Sequence, residues 1–258
     1  NQDTSLFFLI VCGFIGLWHM PLFFLLAGWS AAASLRSRGV GLFLRERVHK
    51  LAVPLAMACV SFMPVIKYLE LRSGQDLNHR GLFVRPELLA RMRAVIPIEL
   101  PAADVFDESF LSFLPTFFTQ LDRFTWSHMW FVAYLLVFTL VLLPFFVALA
   151  RRGPGPAAIA GAWVYVPILP LAVIQFSLRE RFPGPYNLYS DWANVLFFVI
   201  FLGAGFAMGV VPAFEERVRG EWRRAFVLGA AVTGVLLAAV LGVFQSTAVV
   251  LVGSAVCA

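Results

Sequence analysis

Long apolar runs without charge alternate along this chain with short segments crowded with arginine. Six runs read as complete membrane-crossing helices: residues 18–35, 51–71, 129–150, 157–178, 192–213 and 225–245, with a further apolar stretch opening at Thr247. Each approaches the roughly 20 apolar residues that a helix needs to cross a hydrocarbon core about 30 Å thick. The last four contain no Asp, Glu, Lys or Arg, as expected where such a residue at mid-helix costs about 2.5–3.5 kcal/mol. Lys67 and Glu70 fall near the end of the second run, where a lysine is expected to snorkel to the interface. Residues 5–17 are also apolar, but only 13 long before Trp18-His19-Met20-Pro21. They read as an interfacial or re-entrant segment, or as the tail of a truncated span, with Pro21 in the first turn of a new helix.

The polar segments between the runs orient the chain. Residues 36–50 carry Arg36, Arg38, Arg45, Arg47 and Lys50 against Glu46. Arg151 and Arg152 follow the third run, and Arg217, Arg219, Arg223 and Arg224, against three glutamates, follow the fifth. These connections fall on one side, which the positive-inside rule makes cytoplasmic. The other side holds a mixed-charge loop of about 72–127 and the connection 179–191. His19, His128, Trp18, Trp126, Trp130, Tyr186, Tyr189 and Trp192 gather on that outer side, as an aromatic belt does. Within the outer loop, 85–96 has the spacing of a short amphipathic helix, and the aromatic stretch 108–124 is expected to dip into the interface.

Composition narrows the class. A chain that is 60% apolar, with mean hydropathy +0.84, carries more apolar surface than a soluble domain of this size can hide. The net charge of +5 is clustered in the connections, so it reports topology rather than nucleic acid. Cys12, Cys59 and Cys257 lie singly in apolar runs, which predicts neither a disulfide framework nor a metal site. The expected fold is therefore all-α: one polytopic transmembrane bundle over 1–258, with about six complete spans. Because the chain begins at Asn1 and stops inside an apolar run at Ala258, it is expected to be an internal piece of a longer protein.

No Walker loop, dinucleotide fingerprint, GxSxG or HExxH is present. What stands out is an ordered series: "HMPLFFLLAGW" (19–29), "FLRERVHKLAVPL" (43–55), "SHMWFVAYLL" (127–136) and "DWANVLFFVIFLGAGFAMG" (191–209). In this order they resemble the acyltransferase 3 family of bacterial integral membrane proteins, which O-acylate cell-envelope glycans. The resemblance covers roughly 5–215. It is carried by Pro21-Leu22-Phe23-Phe24 with Ala27-Gly28, then Phe43 with Arg45, Arg47, Lys50 and Pro54, then His128-Met129-Trp130-Phe131. Within the family it points to the glucan biosynthesis protein C branch, thought to succinylate osmoregulated periplasmic glucans. Ala27 stands where the family usually has serine. The Arg and His that members carry on their first helix, taken as the catalytic pair, are expected upstream of Asn1.

The resemblance implies transfer of a small acyl group, succinyl or acetyl, from cytoplasmic acyl-CoA to a periplasmic or surface glycan hydroxyl. Localisation would be the bacterial inner membrane, with the lipid bilayer as surroundings, no bound cofactor and no nucleic acid. Arg45, Arg47 and Lys50 would hold the donor's phosphates through charge-assisted bonds; the plainer reading is contact with anionic lipid. His128, behind Ser127, would accept a proton from the acceptor hydroxyl or orient that hydroxyl; the plainer reading is a helix-start residue hydrogen-bonded within the aromatic belt. His19, Trp130 and Asp191 would line the acceptor site, against the alternatives of architecture for His19, beside Pro21, and a helix N-cap for Asp191. His49 and His79 carry no mark beyond solvation. Gly205 and Gly209 form a GxxxG, which most often means close helix packing. Two other classes compete: a transporter, disfavoured by spans without mid-membrane charge, and a non-catalytic partner in envelope glycan synthesis.

Overall fold

The computed structural model describes residues 6–72, 106–120, 123–152, 164–179, 181–182, 188–189 and 191–240. The fold is all-α, with no strand among the described residues. In chain order the helices are α1 (Leu6–Arg47), a π-helical turn (Val48–Ala52), α2 (Val53–Val60), α3 (Met63–Arg72) and α4 (Phe110–Thr119). A 3-10 turn (Ser127–Met129) then leads into α5 (Trp130–Arg152), followed by α6 (Ile168–Leu178), α7 (Trp192–Val210) and α8 (Pro212–Val240). The expected amphipathic helix at 85–96, and His79, lie outside the described residues.

The first helix corrects two expectations. Residues 6–17 are not a separate interfacial segment, and Pro21 does not open a helix: α1 runs through it without interruption. Proline removes one N–H, but an apolar segment in lipid has no water to satisfy its other backbone groups, so the helix persists. Nor is the basic segment 36–50 an open connection, because helix continues to Arg47 with a single break at Gly39 (φ 74°, ψ 169°). That break reverses the chain. An unbroken helix would separate Phe24 from Met63 by about 60 Å at 1.5 Å per residue. Yet the Phe24 ring lies 4.8 Å from that of Phe131, and α3 lies against the Ser127–Met129 turn. Both therefore flank the start of α5, and the chain doubles back between them. Only glycine holds that backbone conformation without strain.

Among the described residues, three helices are long and apolar enough to cross a membrane: Val11–Val60, which contains the Gly39 break, Ser127–Arg151 and Trp192–Val210. The remaining expected runs are shorter or interrupted in the described residues. Run 51–71 is split at Ser61–Phe62, where the Ser61 hydroxyl donates to the Met57 carbonyl at 2.7 Å and competes with the helix ladder. Run 157–178 is described from residue 164, with α6 as its helix. Run 225–245 is described as far as Val240, within the last part of α8, whose first part carries Glu215, Glu216, Arg217, Arg219, Glu221, Arg223 and Arg224.

The main core is a seam between α1 and α7, which run in the same direction. A β-carbon on Gly28 would land on the Leu202 carbonyl, and one on Gly205 on the Leu25 carbonyl. At Gly209 a β-carbon would lie 2.6 Å from that of Ala32. The GxxxG thus does what its spacing suggested: it brings two backbones into contact, where dispersion is the force available in lipid. Helix α5 packs beside the seam, with Phe146 stacked on Phe206 at 4.0 Å and Phe131 edge-on to Phe24 at 4.8 Å, while Phe24 stacks on Phe198 within the seam at 4.5 Å. A second cluster joins α2, α3, α4 and the start of α5 through Leu55, Ala58, Met63, Tyr68, Phe113, Phe117 and Ala133. Lys67 does not snorkel; it is fully enclosed on the inner face of α3 beside buried Tyr68. Helix α4 packs on α3 through Phe110 and Phe113 against Tyr68, and the enclosed lysine is covered by protein rather than by headgroups.

Candidate functional site

The chemistry lies at the two ends of this bundle. Helix α7 starts at the aromatic end because Asp191 caps it: Oδ1 accepts from the Asn194 N–H at 3.4 Å. Asp191 is fully buried, and an ionised carboxylate in that position needs partners. Its Oδ2 accepts from the Tyr134 hydroxyl at 3.0 Å and from Asn194 Nδ2 at 2.9 Å. Asn194 Oδ1 in turn accepts from the Arg179 guanidinium at 3.0 Å, and Arg179 Nε donates to Gln175 Oε1 at 2.7 Å. The Leu188 N–H donates to the Tyr134 hydroxyl at 3.3 Å. Side chains from α5, the end of α6 and the start of α7 are thereby joined in one network.

Trp130 packs against this network. Its ring meets Tyr134 edge-on at 5.5 Å and Phe198 at 5.4 Å. Two residues earlier, His128 is exposed, with Nδ1 sharing a hydrogen bond with Ser127 Oγ at 3.1 Å. Ser127 itself holds φ 43°, a left-handed conformation, with its N–H bonded to Thr125 Oγ1 at 2.9 Å. His19 sits within α1, its Nδ1 donating to the Ile15 carbonyl at 2.8 Å, which leaves Nε2 as the acceptor of the neutral ring. The His19 ring packs on Phe23, and Phe23 on Phe131. Trp130 and Asp191 are thus brought together through Tyr134, and His19 and His128 lie at that same end of the bundle.

Arg45, Arg47 and Lys50 fall at the opposite, basic end. Arg45 and Arg47 are two apart on a helix and face different directions, whereas Arg47 and Lys50 are neighbours at i, i+3. Arg47 lies over the Phe43 ring at 5.4 Å. Glu46 takes ion pairs from Arg38 and from Lys50 at 3.7 Å. Arg45 is exposed and has no ion-pair partner among the described residues. Arg36 is a capping residue: its guanidinium donates to the Gly209 carbonyl at 2.8 Å and to the Val210 carbonyl at 2.5 Å.

Sequence reasoning did not single out Tyr134, Asn194, Gln175 or Arg36 and left Arg179 as a residue at the end of a run. A signal was present in part: Gln175 with Arg179, and Asp191 with Asn194, are polar pairs at i, i+4 and i, i+3 where apolar runs end. Nothing in the sequence pairs Tyr134 with Asp191. Among the described residues no three His, Cys, Asp or Glu side chains gather in a set that could hold a metal ion.

A family model for acyltransferase 3, described as an acyltransferase domain, matches residues 1–258. No curated protein and no solved structure matches the chain. With the whole of its length matched and its long helices apolar enough for lipid, this chain belongs to the acyltransferase 3 family of membrane acyltransferases.

Proposed function

We propose that the chain moves a succinyl or acetyl group from cytoplasmic acyl-CoA to a hydroxyl of a periplasmic glycan, as a multi-pass protein of a bacterial inner membrane. In this reading it belongs with the glucan biosynthesis protein C branch. The family match supports acyl transfer. The observation that supports the two-sided reading is the separation of chemistries along α1, which carries His19 near one end and Arg36 and Arg38 near the other. The rise from His19 to Arg36 along the helix is about 25 Å at 1.5 Å per residue, close to the thickness of a hydrocarbon core. The donor's phosphates would rest on Arg45, Arg47 and Lys50, where charge-assisted bonds are strongest. The acceptor would lie by His128, Trp130 and His19, with Asp191 beneath.

In the reaction the acceptor hydroxyl gives its proton to a base, and its oxygen bonds to the acyl carbon. The carbon–sulfur bond then breaks, and the departing coenzyme A thiolate takes up a proton. His128 is exposed at the acceptor end, and in the tautomer whose Nδ1–H donates to Ser127 Oγ its Nε2 is the unprotonated nitrogen that would take that proton. The test is transfer of label from acyl-CoA to periplasmic glucan by the full-length protein in membrane vesicles. Arg45→Ala with Arg47→Ala is expected to raise the KM for acyl-CoA at least about tenfold, the loss of about 1.4 kcal/mol of binding. His128→Ala is expected to lower turnover by about a hundredfold. Full activity in the double variant would remove the donor site, and full activity in His128→Ala would remove the base. Wild-type protein that transfers no label would favour a transporter or a non-catalytic partner.

A further inference from the structure

Asp191 makes more than a helix cap. A cap needs only a short oxygen acceptor at a helix start, and Ser, Thr or Asn supply it without buried charge. Here the cap bond is long, 3.4 Å. The shorter bonds, 2.9 and 3.0 Å, both reach Oδ2 and both come from side chains. The carboxylate is aimed at Tyr134 and Asn194, and the cap is secondary.

Tyr134 is fully buried, and its hydroxyl is used twice, donating to Asp191 and accepting from the Leu188 N–H. Bonds on both sides of the hydroxyl fix where the far end of the ring sits, and the packed neighbours fix its plane. Its ring is therefore a fixed wall, and Trp130 stands edge-on against it while Phe198 closes another side. Trp130 directly follows the Ser127–Met129 turn, where Ser127 holds a left-handed backbone. Such a conformation is strained and persists only where neighbours hold it.

We infer that Asp191 is a positioning residue for the acceptor: acting through Tyr134, it fixes Trp130 and with it the turn that carries His128. The inference rests on the acyl-transfer reading above. It assigns Asp191 and Tyr134 no contact with substrate, since both are enclosed, and it makes the acceptor side of the kinetics depend on them.

The experiment measures transfer from labelled acyl-CoA to purified periplasmic glucan by the full-length protein, with each substrate varied in turn. Tyr134→Phe keeps the ring and its packing and removes only the hydroxyl. It is expected to lower kcat/KM for the glucan by at least about tenfold, as small misplacements at a reacting centre do. The KM for acyl-CoA stays at its wild-type value, and the melting temperature in detergent falls only slightly, because Asp191 keeps its bond from Asn194. Asp191→Asn, which keeps an acceptor for Tyr134, is expected to lie nearer wild type than Asp191→Ala. Wild-type kinetics in Tyr134→Phe would overturn the positioning role alone. So would a parallel loss of both substrates' parameters and of thermal stability, the mark of packing only. Absence of transfer by the wild-type protein would instead overturn the acyl-transfer reading, and the positioning role with it.

Discussion

Adjacent phenylalanines show how single side chains divide their work in this bundle. Phe23 is 50% exposed while Phe24 is wholly buried against Phe131, Phe138 and Phe198. Phe117 with Phe118, and Phe146 with Phe145, divide in the same way, one ring in the core and one outside. Successive helical residues point about 100° apart, so one of each pair meets protein and the other the surroundings. Removing the Phe24 ring should cost about 3–5 kcal/mol, whereas Phe23→Ala should cost under about 1 kcal/mol. Thermal unfolding in detergent compares the two, and equal losses would refute this division. Glycine positions divide likewise. Gly28→Ala forces a methyl onto the Leu202 carbonyl and should destabilise by about 1–3 kcal/mol or more. Gly229 and Gly234 on α8 have nothing near a new β-carbon, so alanine there should be neutral or slightly stabilising in the same assay.

At the scale of elements, each helix end has a nameable cause. Helix α7 stops at Val210 because Pro212 follows Val211, and the residue before a proline is pushed to extended backbone, as Val211 is. The carbonyls left over at that end are taken by Arg36 from α1, a cation against the negative pole of the helix. Arg36→Ala should lose about 1.5–3 kcal/mol, the range for hydrogen bonds to charged groups. Lysine should recover only part of it, because it cannot span two carbonyls as a planar fork does. Helix α4 is held from outside by a clamp in which Arg123 donates to both Glu108 oxygens, at 2.7 and 2.8 Å, while Tyr68 donates to the Glu108 carbonyl at 3.2 Å. The hydrogen bonds from Arg123 hold the Glu108 carboxyl below its ordinary range. A lowered folded pKa means that the clamp stabilises the fold above the unfolded carboxylate value of about 4.3. The stabilisation is lost as pH falls through the lower folded value. Hydrogen exchange across Phe110–Thr119, corrected for intrinsic rates, should rise only below that range in the wild type. Arg123→Gln should show the faster exchange already at neutral pH, and protection unchanged there would refute the clamp.

Across the whole molecule, the directions of the helices determine which residues can meet. Helices α1, α5 and α7 run in parallel from the aromatic to the basic end, and the chain after Gly39 climbs back beside α5. Exposed His49 and exposed Thr119 consequently belong to opposite ends. If those ends face opposite sides of the bilayer, single cysteines at the two positions should react with an impermeant thiol reagent from opposite sides. The background would carry serine at Cys12, Cys59 and Cys257. Labelling of both from one side would overturn this orientation. The sides of the bundle expose Leu140, Val141, Phe145, Leu169, Val173 and Phe176, the surface expected of helices solvated by lipid rather than water.

The amino-acid sequence by itself determined the solvent, the fold class and the chemical polarity of this chain. These follow from sums over many residues: run length against bilayer thickness, arginine placement and aromatic placement. The ordered motifs around Pro21, Arg45, His128 and Asp191 carried the family resemblance for the same reason, since each is a local pattern. The N-cap at Asp191 and the packing role of the GxxxG were legible too, because each is a relation among residues close in the chain. Other features depended on distant partners. Pro21 carries every local mark of a helix start, yet lies mid-helix because lipid gives the surrounding backbone no alternative to helix. Lys67 has a stem long enough to reach an interface, yet the fold encloses it. The bond from Tyr134 to Asp191 joins residues 57 positions apart, and that from Arg36 to Val210 joins residues 174 apart. No spacing along a helix encodes either bond. They exist because backbone contact at Gly28 and Gly205 sets the register of α1 against α7, and the reversal at Gly39 brings α3 back against the start of α5. Only the tertiary structure decided those partners, since a side chain's hydrogen bonds depend on which helix lies beside it.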